Sequence, residues 1–329
     1  FIEIMDNIKN QLQIILNTKN ELTLPMSGTG SAGMETCFVN LIEPGDKVLI
    51  LINGVFGTRM QDVATRLGAD VDSLEFDWGT PIVPDLVEIQ LKKKKYDLVA
   101  VVHAETSTGV ANPVNQIGPL VKNNDALFLV DAVTSLGGMK VDMDRWHIDA
   151  IYSGTQKCLS CPPGLSPVSF SEKALNKLNN RKSKVPNWYL DLSLIANYWG
   201  GSTRVYHHTA PINMIYGLYQ SLFNIFEEGV EKVHYRHIKY HNYLVEGLEK
   251  MGLEMLVEKS DRLPMLNSVK IPDNIDDVKV RKVLLDDYNI EIGGGLGIFA
   301  GKIWRIGLMG YSAHEKNVSK LINALEKQL

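Results

Sequence analysis

The chain has 329 residues and a formal net charge of −4, with 45% hydrophobic and 22% charged residues. That balance excludes a long disordered chain and gives no general electrostatic reason to hold a nucleic-acid backbone. Its longest purely apolar runs, such as 48–52 and 98–102, are strand length, far short of the roughly 20 residues that a membrane span needs.

The length exceeds what one core usually organises, so two lobes are expected. The chain opens on Phe1 rather than Met, and we expect a further N-terminal segment ahead of it. Phe1, Ile4, Met5, Ile8, Leu12 and Ile15 recur at helical spacing. Residues 22–26 then read as a strand running into the glycine-rich turn 27–31 and a helix. Further strands are expected at 48–52, 71–76, 96–103, 126–130 and 148–152, with helical or loop crossovers between them, the mark of a largely parallel α/β sheet. From about Pro211 a long helix reaches a kink at Glu228-Gly229, and another covers about 230–251. Strands at 268–271, 290–292 and 303–307, with helices around 278–285 and 315–325, predict a smaller α+β lobe. The division expected is a large domain over 1–228 and a small one over 229–329.

Cys37, Cys158 and Cys161 make no disulfide framework, which suits a reducing, intracellular setting. Cys158 and Cys161 have the spacing of redox pairs and metal half-sites; two further ligands are wanting nearby, so no metal is expected, and packing is expected over redox chemistry. The lysine run 92–95 reads as a solvated helix end.

In such sheets ligands bind beyond the carboxyl ends of the strands, and four groups sit at those ends. The turn 27–33 feeds a helix N-terminus whose unpaired N–H groups and close backbone suit a phosphate, or form only a tight turn. Asp131 follows a buried strand, where a carboxylate needs a cationic or hydrogen-bonding partner; it is an N-cap otherwise. Lys157 follows the strand 148–152, where partial desolvation would make its amine nucleophilic. Arg305, inside an apolar strand, needs an anion: an internal carboxylate or a substrate's. Together they match the needs of pyridoxal phosphate: a phosphate cradle, a carboxylate for the pyridine nitrogen, an amine and a carboxylate-binding fork. A nicotinamide cofactor would leave Lys157 and Arg305 without work.

SGTGSAGMET at 27–36, HAETSTGV at 103–110, VDAVTSLGG at 130–138, YSGTQKCLSCPPG at 152–164, NYWGGSTRVYHHTAP at 197–211 and GGGLG at 293–297 carry a resemblance that covers essentially the whole chain. The sequence resembles the class V, fold-type I pyridoxal-phosphate aminotransferases, on the alanine–glyoxylate and serine–pyruvate branch. The resemblance implies that Lys157 bonds the cofactor and Asp131 pairs with its ring nitrogen. It puts Thr106 at the phenolic oxygen, where Ser is commoner, and Gln156 beside the cofactor. Gly30 falls on the phosphate-binding glycine, followed by Ser31 where His is frequent, and Phe56 on a stacking aromatic that is usually Trp. Tyr206 and Thr209 would reach the phosphate of a neighbouring subunit, implying a homodimer with shared sites. His207 and His208 would be structural. Arg305 would hold the substrate carboxylate.

The implied reaction moves an amino group from alanine or serine to glyoxylate or another 2-oxo acid. 3-Hydroxykynurenine, serine–glyoxylate and 2-aminoethylphosphonate transaminases are alternatives on the same fold. Family members carry a Gly/Pro-rich segment at the N-terminus that shapes the pocket. The closing Lys327-Gln328-Leu329 is a weak form of a peroxisomal address, so cytoplasm, peroxisome and mitochondrion stay open.

Overall fold

The apolar stripe at the start of the chain becomes helix α1 (Ile2–Leu16), which buries Met5, Ile8, Leu12 and Ile15 and ends on Asn17 in the left-handed region. The computed structural model describes residues 1–200 and 204–329. Gly201, Ser202 and Thr203, the middle of the 197–211 motif, lie outside the described residues.

After β1 (Leu22–Ser27) and α2 (Gly30–Leu41), strands and helices alternate: β2 (Lys47–Ile52), α3 (Val55–Arg66), β3 (Asp70–Glu75), α4 (Pro84–Lys93) and β4 (Leu98–Val102). A short hairpin, β5 (Ala104–Glu105) and β6 (Val110–Ala111), interrupts the rhythm. Then come α5 (Val114–Asn124), β7 (Leu127–Asp131), β8 (Ala150–Tyr152) and β9 (Leu165–Phe170). The seven-stranded sheet runs β1-β9-β8-β7-β4-β2-β3. Strands β3, β2, β4, β7 and β8 are mutually parallel, while β9 is antiparallel to both β8 and β1. Strands β4 and β7 are buried along their full length, as parallel strands covered on both faces must be. The expected largely parallel sheet is therefore the one observed.

Strand β9 has no counterpart among the elements expected from the sequence. Its serines and Pro167 break the apolar pattern, yet every residue in it is buried. Pro167 stands opposite Pro25 of β1, and β1 is an edge strand, where a missing donor is tolerated. Because β1 and β8 both run against β9, β1 points the same way as the parallel strands. Its carboxyl end opens on the same sheet edge as those of β7 and β8.

Helices α6 (Glu172–Asn179) and α7 (Leu192–Trp199) precede the long pair α8 (Ile212–Glu228) and α9 (Val230–Lys250), with Gly229 at φ 94° between them. The remaining elements are β10 (Leu266–Lys270), α10 (Asp277–Tyr288), β11 (Gly293–Gly294), β12 (Ile303–Gly307) and α11 (Glu315–Glu326), and their three strands pair in the order β10-β12-β11. The strand expected at 290–292 is corrected: α10 continues to Tyr288 and pairing begins only at Gly293. Asn289, in the left-handed region, ends the helix, so the next residues turn the chain instead of entering the ladder.

Candidate active site

Where β4, β7 and β8 end, a cavity of about 180 Å³ opens. One water needs roughly 10–15 Å³ by that measure, so the space suits a small organic molecule. Gly30, Ser31, Phe56, Thr106, Asp131, Gln156 and Lys157, all singled out from the sequence, line it.

Asp131 is the last residue of β7 and is 6% exposed. Its Oδ1 accepts the Val133 N–H at 2.7 Å and its Oδ2 accepts the Tyr152 hydroxyl at 2.7 Å. Tyr152 faces it because β7 and β8 are in register at that pair. Burial pushes the Asp131 carboxyl up to about 6 despite both bonds, with the charges of Arg59 and Lys157 opposing. Lys157 follows β8 in the loop that returns to β9. Burial depresses its amine below the ordinary lysine range, which favours the neutral, nucleophilic form.

The first turn of α2 supplies the cradle. Thr29 caps it with no side-chain bond, and the N–H groups of Gly30 and Ser31, in its first turn, have no partner inside the helix. A Cβ on Gly30 would come within 3.1 Å of Val133 Cγ2, so the backbone there runs close to the cavity wall, and a larger residue would require Val133 to shift. Phe56, from the first turn of α3, also lines the cavity, with the Arg59 guanidinium 5.2 Å from its ring centroid.

Arg305 stands on β12, outside the cavity lining but tied to it. Its Nε donates to the Gly294 carbonyl at 2.8 Å and its Nη1 to the Thr106 carbonyl at 3.1 Å. Among the described residues no carboxylate comes within ion-pair distance of it, and burial lowers its pKa. The internal ion pair held open for this arginine is not formed. One Nη1 and both Nη2 donors are left, an end-on fork for an anion.

Tyr206 and Thr209 do not join the cavity. Tyr206 is 72% exposed and its hydroxyl lies 3.1 Å from Thr209 Oγ1. His207 stacks on Trp188 at 4.1 Å, and His208 Nε2 lies 2.7 Å from Ser27 Oγ. Cys158 and Cys161 are buried free thiols, and burial raises them to about 12 and 11. No cluster of three or more metal-ligating side chains occurs among the described residues, and no described helix is long and apolar enough to cross a membrane.

Three contributors were not found from the sequence. Arg59 could have been, as the residue one helical turn after Phe56. Tyr152 could not, because its bond to Asp131 depends on strand register. Glu105 lies beside Thr106 in a quoted motif, but its fully buried carboxylate gave no local signal; burial raises it to about 7.

The family model described as "Aminotransferase class-V" matches residues 1–321. The (S)-ureidoglycine–glyoxylate transaminase of Bacillus subtilis (strain 168) is 39% identical over 347 residues, covering 100% of this chain and 83% of its own length. The alanine–glyoxylate aminotransferase of Oryctolagus cuniculus is 41% identical over 330 residues, covering 99% of this chain and 84% of its own. The crystal structure of an alanine–glyoxylate aminotransferase from Nostoc sp. superposes with a TM-score of 0.97 at 47% identity, covering 99% of this chain and 86% of that one.

Proposed function

The chain belongs to the class-V aminotransferase family, and from that membership we propose that it transfers the amino group of a small amino acid, alanine first, to glyoxylate, with pyridoxal phosphate in the cavity. The observation that carries this reading is the convergence of Lys157, Asp131 and the Gly30 turn on one cavity, with the free fork of Arg305 one hydrogen bond from Thr106. The donor set fits the cofactor. A buried carboxylate suits a protonated ring nitrogen, a neutral amine suits a carbonyl, and a glycine-lined helix N-terminus suits a phosphate.

When bound, pyridoxal phosphate supplies a carbonyl that condenses with amines and a ring that takes up electron density. Each residue then has a task. Arg305 binds the substrate α-carboxylate end-on and orients the Cα–H bond. Lys157, free and neutral, would take the proton from Cα and return it at the cofactor's carbonyl carbon, acting as base and then acid. Asp131, ionised against the ring nitrogen, holds its proton, and the Tyr152 hydroxyl holds Asp131. Thr106 donates to the phenolic oxygen, and Phe56 covers one face of the ring. The α2 N–H groups and Ser31 would hold the phosphate, with Gln156 beside the cofactor, joined by Tyr206 and Thr209 from the second copy of a homodimer. The exposure of that pair, away from its own cavity, supports such sharing. Division of the chain into domains at 228 and 229 belongs to the same proposal; Gly229, between two long helices, supports it.

A half-reaction titration tests the reading. The protein loaded with pyridoxal phosphate is mixed with alanine, serine, (S)-ureidoglycine, 3-hydroxykynurenine or 2-aminoethylphosphonate, without oxo acid, while the visible band is followed. Conversion to the amine form by alanine, reversed by glyoxylate, is the expected result. The near-equal identity to a relative named for ureidoglycine puts that donor in the series. No conversion by any donor overturns the proposal.

A further inference from the structure

The carboxylate of Glu105 is fully buried, and none of the roles assigned above uses it. Its two oxygens divide their work. Oε1 accepts the N–H of Ser107 at 3.0 Å and its hydroxyl at 2.5 Å. Oε2 accepts the N–H of Phe56 at 3.3 Å, and Ser107 Oγ accepts the N–H of Val55 at 3.0 Å. Helix α3 needs this help, because its own N-cap, Gly54, has no side chain to offer. Nor could it have one: a Cβ at Gly54 would fall 2.4 Å from Glu105 Cδ and 2.5 Å from Ser107 Oγ. The start of α3 is therefore capped from a hairpin 49 residues away in sequence.

Between the two capping residues stands Thr106, which lines the cavity and whose carbonyl accepts from Arg305. Phe56, whose N–H is held, lines the same cavity. We infer that Glu105 is a positioning residue: its carboxylate fixes the ring of Phe56 in register with the hydroxyl of Thr106, so that the face and the phenolic edge of the cofactor are gripped as one unit. The inference rests on the proposed cofactor site.

The test is a double-mutant cycle read as the dissociation constant of pyridoxal phosphate, with the unfolding midpoint of each cofactor-free protein measured alongside. In Glu105→Gln, one oxygen can still serve Ser107, but the new NH2 faces the Phe56 N–H, donor against donor. The expected result is about tenfold weaker cofactor binding, the upper end of the usual cost of losing one hydrogen bond between neutral groups. In a Phe56→Ala background, where the positioned ring is gone, the same change should weaken binding less than about twofold. An equal loss in both backgrounds overturns the inference, since a general structural effect does not depend on Phe56. If Glu105→Gln does not yield folded protein, Ser107→Ala, which removes the acceptor of the Val55 N–H, goes through the same cycle under the same criterion. A wild-type protein that takes up no cofactor overturns the functional proposal and this inference together. Uptake by wild type without coupling overturns this inference alone.

Discussion

Replacing Tyr152 by Phe deletes one hydroxyl, 2.7 Å from Asp131 Oδ2, and leaves the ring that fills the core. A hydrogen bond to an ionised carboxylate contributes about 1.5–3 kcal/mol and one between neutral groups about 0.5–1.5 kcal/mol. The ionised form of Asp131 therefore loses about 1–1.5 kcal/mol more than the protonated form, close to one pKa unit. Its value in the cofactor-free protein should move from about 6 to about 7. The folded value lies above the ordinary 3.8, so the carboxyl supports the fold while protonated, and that support is lost as pH rises through the folded value. At pH 5 the variant should be less stable only by the neutral bond. By pH 8 a further 1–1.5 kcal/mol, roughly, should separate it from wild type. Urea unfolding of both cofactor-free proteins at the two pH values measures this directly. An identical difference at pH 5 and pH 8 would refute the idea that Tyr152 stabilises the charged form of Asp131.

Lys157→Ala should remove the visible band of the bound cofactor and slow transamination by at least about a hundredfold to ten-thousandfold, the range of lost acid–base catalysis; single-turnover kinetics with alanine measure it. Arg305→Ala should raise KM for alanine about tenfold to a hundredfold, with a smaller fall in kcat, as expected for lost charge-assisted bonds to a carboxylate. Gly33→Ala places a Cβ 1.8 Å from Ser166 Oγ and should lower stability by about 1–3 kcal/mol; Ser166→Gly, which clears the clash, should restore part of it in a thermal melt. Mixing inactive Lys157→Ala protein with inactive Tyr206→Phe/Thr209→Ala protein should regenerate activity, because one site of each hybrid dimer would be intact. No recovery after subunit exchange would count against shared sites.

Asp131 and Lys157 were legible because each follows a short apolar strand, where a charged residue stands out. The turn at 27–31 was legible from its glycines. Strand β9 was not, since the burial that makes it a strand comes from its two neighbours and not from its own Ser/Pro-rich pattern. The partnership of Tyr152 with Asp131 was hidden for a similar reason: it is a property of strand register. Arg305 was recognisable as an apolar-strand arginine, but its freedom from carboxylates emerged only once β11 and the 104–107 segment were seen to offer carbonyls instead. What the sequence concealed was contact between distant segments: Glu105 caps α3 across 49 residues, and the Arg305–Thr106 bond spans 199.

The edge strand β1 has a consequence for how the molecule is made. Its sheet partner is β9, and Thr23 meets Ser169 across 146 residues of sequence. A ribosome adding about 5–20 residues per second needs roughly 7–30 s to deliver that partner. Throughout that interval the apolar strand and the glycine turn at its end have no ladder to join, although β2, β3 and β4 can already pair. The cradle proposed to hold the phosphate is thus among the first pieces synthesised and among the last fixed. A nascent chain interrupted before β9 would expose Leu22, Leu24 and Met26 together, a short apolar segment that a holding chaperone would recognise.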